Sequence, residues 1–272
     1  MCSGNQIKIM ALLMALFVFS VPVFAQADRE EKGLNCESGW NGDRASRCVI
    51  KEQTIPGAGG IITVDGKKNG GVTVKGWERS EIFVRSKVQT WADSEAEASA
   101  LINQIRIETI GANIYAVGPD SLRQSGWSVS YEVFVPFRSN LSLKTHNGGI
   151  GITDVRGMIE FDALNGGVSL RRLAGSVKGR TTNGGLSIDL TGTRWDGEGI
   201  DVKTMNGGVK LLIPEDYSAR LETGTVNGGI KVNFPITLQG EIKRDLSINL
   251  GGGGPTIRVM TTNGGVTVSR KG

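Results

Sequence analysis

The sequence predicts an all-β chain: a single-stranded β-solenoid (β-helix) with short coils of about 18–23 residues and one inserted or capping α-helix. Three observations predict it. The triplet Asn-Gly-Gly occurs seven times, at Asn69, Asn147, Asn165, Asn183, Asn206, Asn227 and Asn263, with a degraded copy at Asn249-Leu250-Gly251-Gly252. From Asn147 onward the intervals are 18, 18, 23, 21 and 36 residues, the last reading as two turns of 18 around the degraded copy. Each triplet is followed by a short alternating segment, such as Val168-Ser169-Leu170 or Val209-Lys210-Leu211, and most are preceded by another, such as Ile200/Val202/Thr204. Alternation with period two puts aliphatic residues on one side of a strand, and a unit this small buries its apolar face only when neighbours stack on it.

Residues 1–27 read as a signal peptide. Lys8 precedes the apolar run Ile9 to Val21, and small residues follow at Ala25 and Ala27, so cleavage after either fits. The apolar core of about 13 residues is short of the roughly 20 that a membrane span needs. The chain is therefore expected to be exported to the periplasm, cell surface or medium, with no membrane insertion after cleavage; an uncleaved anchor is the alternative. Cys2 precedes the apolar run and is not placed to carry a lipid.

Residues 28–54 form a disulfide-containing N-terminal segment. Cys36 and Cys48 flank the turn-forming Gly39 and Asn41-Gly42-Asp43, and an even pair in an exported chain predicts a bridge. A loop of that size contributes on the order of 3 kcal/mol in the chain-entropy account. A zinc site lacks further ligands, since the single histidine, His146, is distant in sequence.

Residues 55–140 hold the first strands plus a capping helix at about 93–105. Strand-like segments run from Glu81 to Val88, Arg106 to Ile110, Asn113 to Val117 and Ser128 to Val135. Asp93 or Ser94 offers an N-cap, Glu95 and Glu97 favour a first turn, and Ala98, Leu101, Ile102 and Ile105 make an apolar stripe. Such a helix covers the end of a strand stack, or belongs to a small α+β unit preceding the repeats.

Residues 141–272 are the regular Asn-Gly-Gly array. Counting by twos from Ile200 gives Val202, Thr204 and Asn206, so parity places Asn in the inward row with Thr. The phase flips across the glycine pair, for example Gly207 and Gly208, which suits a corner at φ > 0. Stacked corners would then form an internal ladder of Asn amides. A hairpin at each Asn-Gly would instead give an antiparallel barrel, and an outward Thr-x-Asn face would suit ice binding, which the parity argues against.

Composition narrows function. Formal net charge is only +4 and the charges are scattered, which argues against a nucleic-acid partner. No serine-hydrolase elbow, zinc-protease helix, P-loop or EF-hand motif occurs, and Gly148 to Asp154 departs from the calcium nonapeptide in phase and does not recur. No catalytic residue, metal ligand or cofactor is assigned. The longest insertion among the repeats, Thr193 to Gly199, makes Arg194 and Trp195 candidates for a recognition loop, with Trp195 either stacking on a sugar or anchoring a corner.

The recurring Thr-x-Asn-Gly-Gly with alternating aliphatics behind a secretory leader resembles the bacterial "putative adhesin" family of exported β-strand-repeat proteins of unknown function. The resemblance runs from about Ile55 to the C-terminus, most strongly from Leu141 to Val268. It implies a β-solenoid in the bacterial envelope or outside the cell and carries over no catalytic residues. The expected function is a non-enzymatic structural or adhesion module. Its expected partner is an envelope or extracellular protein or glycan, with edge-to-edge self-association as a further expectation. The alternative is a carbohydrate-active β-helix enzyme, built on outward carboxylates such as Asp154, Glu160 and Asp162.

Overall fold

The computed structural model describes residues 33–37, 44–57, 59–122, 124–235 and 244–271. The signal peptide over 1–27 and the turn at Gly39 and 41–43 lie outside the described residues. The chain begins with β1 (Ala45–Ile55), β2 (Ile61–Asp65), β3 (Val72–Trp77), β4 (Ile82–Ala92), α1 (Glu95–Ile102), β5 (Arg106–Ile110), β6 (Asn113–Val117) and β7 (Gly126–Pro136). The repeats follow as β8 (Asn140–Asn147), β9 (Ile150–Thr153), β10 (Arg156–Asn165), β11 (Val168–Arg171), β12 (Ala174–Asn183) and β13 (Leu186–Asp189). They continue as β14 (Gly199–Asn206), β15 (Val209–Ile213), β16 (Ala219–Asn227), β17 (Ile230–Val232), β18 (Asp245–Leu250), β19 (Thr256–Asn263) and β20 (Val266–Arg270). The protein is all-β with a single helix among these residues.

The strands form two ten-stranded sheets. The first has the order β1-β4-β7-β3-β9-β11-β13-β15-β20-β17, the second β18-β16-β19-β14-β12-β10-β8-β2-β6-β5. Every Asn-Gly-Gly hands the chain from the second sheet to the first, so the strands flanking a triplet never pair with each other. Like strands of neighbouring layers pair in parallel, with Asn over Asn: Asn165 opposes Asn147 and Asn183, and Asn206 opposes Asn183 and Asn263. This excludes the antiparallel barrel. Aliphatic residues of both sheets, such as Ile159, Val177 and Ile200 against Val168, Leu186 and Val209, fill one continuous core.

The layers are not stacked in sequence order, and both sheets are mixed at their ends. The β19–β20 layer sits between β14–β15 and β16–β17, and β2–β3 sits between the outer β6 and β7 and the inner β8–β9. The 36-residue interval is therefore not two coils. Asn263 stacks on Asn206 and on Asn227, while β18 runs antiparallel to β16. The degraded triplet is the turn after β18, where Gly251 (φ 51) and Gly253 (φ 74) adopt left-handed conformations.

At the other end α1 is shorter than the span 93–105, running Glu95–Ile102, and Ser94 is its N-cap, accepting from the Glu97 N–H at 3.2 Å. It packs on β1 and β4: Thr90 Oγ1 donates to the Ala98 carbonyl at 2.8 Å, and Arg47 Nε donates to Ser99 Oγ at 3.0 Å. Lys51 and Gln53 of β1 reach across to the carbonyls of Ile105 and Ile107. Helix and side-chain bridges thus close this end of the stack.

The corner differs from the sequence expectation in two respects. Asn147, Asn165, Asn183, Asn206, Asn227 and Asn263 are exposed and Asn69 is half-buried, so the amides do not face inward. Parity fails because the chain already bends at the residue before Asn. Leu164 and Thr182 drop out of register between Ala163/Thr181 and Asn165/Asn183, and two consecutive residues then face out. The inner row is satisfied by threonine instead. Thr181, Thr204, Thr261 and Thr225 are buried, and each donates its hydroxyl to a first-glycine carbonyl of the neighbouring layer at 2.7–2.8 Å. Where Ala163 breaks the row, Thr145 turns to the Gly148 carbonyl of its own corner. Thr204→Val is therefore expected to cost about 1–3 kcal/mol by stripping the half-buried Gly184 carbonyl of the buried hydroxyl that serves it, against under about 1 for Asn206→Ala. Paired urea melts of the two variants check the order.

The second correction concerns the glycines. Apart from Gly264 (φ 152), no glycine of a triplet has a positive φ. The first position is glycine because layers touch there. A Cβ on Gly148, Gly166, Gly184 or Gly207 would lie 2.1–2.2 Å from a backbone carbonyl oxygen of the adjacent layer.

Candidate functional site

Along the outside of the corners runs a hydrogen-bonded amide ladder. Each Asn Nδ2 donates to the Oδ1 of the next, from Asn227 through Asn263, Asn206, Asn183, Asn165 and Asn147 to Asn69, at 2.7–3.0 Å. All six bonds point the same way. Beside the ladder on the second sheet, Leu164, Met205 and Val226 are exposed, at 37%, 53% and 55%.

The outer face of that sheet carries charge in columns, because alternation sends these residues out and parallel register stacks them. Glu160, Lys178, Asp201, Arg258 and Glu222 are successive neighbours of alternating sign. A second column brings Arg180 to Asp162 at 2.8 Å. A shallow groove of ≈ 460 Å³ lies between the columns, lined by Lys144, Glu160, Asp162, Lys178 and Arg180. Exposed pairs of this kind contribute at most about 1 kcal/mol each, so these charges add little to the stability of the fold.

The first sheet presents a different outer face near the capped end. Trp77, Phe83 and Phe134 are half-buried and pack as a trio with ring centroids 5.4–6.2 Å apart. Phe137 beside them is 44% exposed, its N–H bonded to the Trp77 carbonyl. Cations stand over these rings: Arg79 at 4.9 Å from Trp77, Arg85 at 5.6 Å from Phe83 and Lys75 at 5.8 Å from Phe134. Beside them on the same face Glu132, only 4% exposed, accepts from Lys75 Nζ and Arg85 Nη1, both at 3.0 Å, and Arg85 Nε also donates to Glu52 at 2.8 Å. The Glu52 hydrogen bond raises the Arg85 pKa above its ordinary value; burial opposes this and Glu132 adds to it. This ion-pinned aromatic platform was not singled out by sequence. Its signal is an aromatic or charged residue at outward positions of strands that otherwise alternate cleanly.

The residues singled out from sequence fall as follows. Cys36 and Cys48 are bridged, with Cα atoms 5.8 Å apart. Trp195 is not available to a ligand: it is 3% exposed and its Nε1 donates to the Gly175 carbonyl at 2.8 Å. The insertion around it is stitched to the preceding coil by Gly175 N–H to Asp196 O and Glu198 N–H to Gly175 O. Arg194 is exposed, among the described residues no aromatic ring stands against it, and its backbone bridges to Ser218. His146 is exposed on β8, beside a corner. Among the described residues no group of three or more His, Cys, Asp or Glu is arranged to hold a metal.

Against known families, the profile described as Toastrack DUF4097 matches residues 104–269. Among solved structures the chain is similar to a "putative cell adhesion protein" from Clostridium sporogenes ATCC 15579, with 11% identity over 83% of this chain and 100% of that chain and a TM-score of 0.40. It is also similar to a "putative adhesin" from Parabacteroides merdae ATCC 43184 (11% identity, 83% and 97% covered, TM-score 0.34). A third, a "putative adhesin" from Bacteroides fragilis NCTC 9343, has 12% identity, 83% and 97% coverage and a TM-score of 0.32. No curated protein matches the sequence.

Proposed function

The chain belongs to the Toastrack DUF4097 family, and on that premise we propose that it is a non-enzymatic β-solenoid exported to the bacterial envelope, where it serves as an adhesion or binding module. The observation that carries the reading is the platform of Trp77, Phe83, Phe134 and Phe137 with Arg79 above it. Aromatic rings and arginine on a stiff support are the groups that dominate protein contacts, and flat rings also stack on sugars. Because the platform is built on paired strands and pinned through Glu132, it loses little freedom when a partner docks. The partner is an envelope or extracellular protein or glycan. Alternating signs on the second sheet, with no basic patch, count against nucleic acid.

Among the described residues no helix is long and apolar enough to cross a membrane. The solenoid reading is supported by in-register parallel layers joined through repeated corners, and the edge strand β17, which pairs only with β20 among the described residues, supports edge-to-edge self-association. A carbohydrate-active enzyme is less well supported, because the carboxylates of the second-sheet groove alternate with Lys178 and Arg180. Trp195 is in the core, and Asp154 and Asp162 are held by Arg172 and Arg180.

The test is capture of envelope polysaccharides and envelope proteins by the immobilised protein and by Phe137→Ser and Arg79→Ala, both exposed positions. Loss of capture of about tenfold or more at unchanged melting temperature is expected, as for contact residues at the centre of an interface. Undiminished capture by both variants would move the site elsewhere, and release of soluble sugars would favour the enzyme.

A further inference from the structure

We propose that the Asn227-Gly228 corner is a site of spontaneous deamidation, and that the other six Asn-Gly-Gly corners are held back from the same reaction by the stack. Asparagine is among the chemically labile residues, and glycine after it leaves the approach to its side chain open. The glycine backbone nitrogen attacks the asparagine Cγ, ammonia leaves, and a five-membered succinimide forms. Water then opens the ring to an aspartyl or isoaspartyl residue. One water is consumed and one ammonia released, and no oxidant or reductant is involved.

In an extended chain the seven corners are chemically alike. The fold makes them unequal. Six first-position glycines, from Gly70 to Gly264, donate their N–H to the asparagine carbonyl of the next layer at 2.9–3.2 Å. At the same six corners the side-chain Oδ1 accepts from the neighbouring amide. Attacking nitrogen and target amide are therefore both engaged, and reaction there requires two layers to part first.

The ladder has a direction, so its two ends differ. Side-chain donors point toward the capped end and backbone donors point away from it. At the Asn69 end, Gly70 is buried and its N–H is bonded to Asn147 O, while Asn69 Oδ1 accepts from Asn147. At the other end β16–β17 is the last layer to carry an Asn-Gly-Gly corner, and β18 flanks β16 only as far as Gly224, short of that corner. Among the described residues neither Asn227 Oδ1 nor the Gly228 N–H has a hydrogen-bond partner, and Asn227, Gly228 and Gly229 are all exposed. The product has two local effects. A carboxylate at position 227 cannot donate to Asn263 Oδ1, and the isoaspartyl form adds a methylene to the backbone at the entry to β17. Both loosen the last layer and leave the ladder from Asn263 to Asn69 in place.

Trypsin provides a clean readout. The peptide Leu221–Lys231 contains Asn227 as its one asparagine, and Thr204–Lys210 contains Asn206 as its one asparagine. The purified protein is incubated at mildly alkaline pH, digested, and both peptides are scored by mass spectrometry for conversion of amide to acid. In the native protein Leu221–Lys231 is expected to convert at least about tenfold faster, because only Asn206 needs local opening. In urea the two rates should converge, and Asn227→Gln should abolish conversion at 227, since its ring would have six members. Comparable native rates, faster conversion at Asn206, or native protection of both peptides followed by conversion of both in urea would each overturn the proposal.

Discussion

Gly207→Ala is expected to destabilise the protein by about 3 kcal/mol or more, the upper range for overpacking, while Gly208→Ala one residue later costs under about 1 kcal/mol. A Cβ at position 207 would stand 2.2 Å from Gly184 O and 2.5 Å from Gly184 C, both backbone atoms. Those atoms cannot retreat cheaply. Gly184 N–H is bonded to Asn206 O at 3.0 Å, Gly207 N–H to Asn263 O at 2.9 Å, and both layers continue into in-register parallel pairing. At Gly208 the nearest atom to an added Cβ is Gly265 O at 3.5 Å, an ordinary contact. Thermal and urea melts of the two single variants check the ratio. Equal losses would show that glycine serves backbone conformation at both positions and not layer contact at the first.

Trp195→Ala is expected to cost about 3–5 kcal/mol, as for removal of a large buried aromatic. The indole lies in the main core and fastens the longest insertion of the array to the coil beneath it. Trp195→Phe separates packing from hydrogen bonding. It removes one donor from Gly175 O, but that carbonyl keeps the Glu198 N–H at 2.9 Å, so only about 1 kcal/mol is expected to be lost. A melting temperature unchanged by Trp195→Ala would contradict the burial of the ring.

Strand positions and the repeat were legible in the sequence because alternation is a local property: Val168-Ser169-Leu170 can be read without knowing its neighbours. The same counting misplaced Asn206 because it assumes an unbroken strand, and the bend at Met205 is set by how the corner stacks. The role of Gly207 was hidden for a related reason. The atom that forbids a side chain there belongs to Gly184, a different layer. Trp195 stood out as an aromatic in an insertion, but composition does not tell a ring facing out from one facing in. The platform of Trp77, Phe83 and Phe134 went unread because its three rings come from three strands of the irregular region, and only pairing of β4 with β7 and β7 with β3 brings them together.

The intercalated order of layers has a consequence for how the molecule is made. An array threaded strictly in sequence can grow, and fray, one unit at a time from its tips. Here β19–β20 pairs with β14–β15 on one side and with β16–β17 on the other, so β16–β17 cannot dock on the earlier layers until this later repeat arrives. Docking of β16–β17 is then a long-range event that waits for a partner corner 36 residues further along the chain. Once assembled, neither β2–β3 nor β19–β20 lies at an end of the layer order from which to unzip.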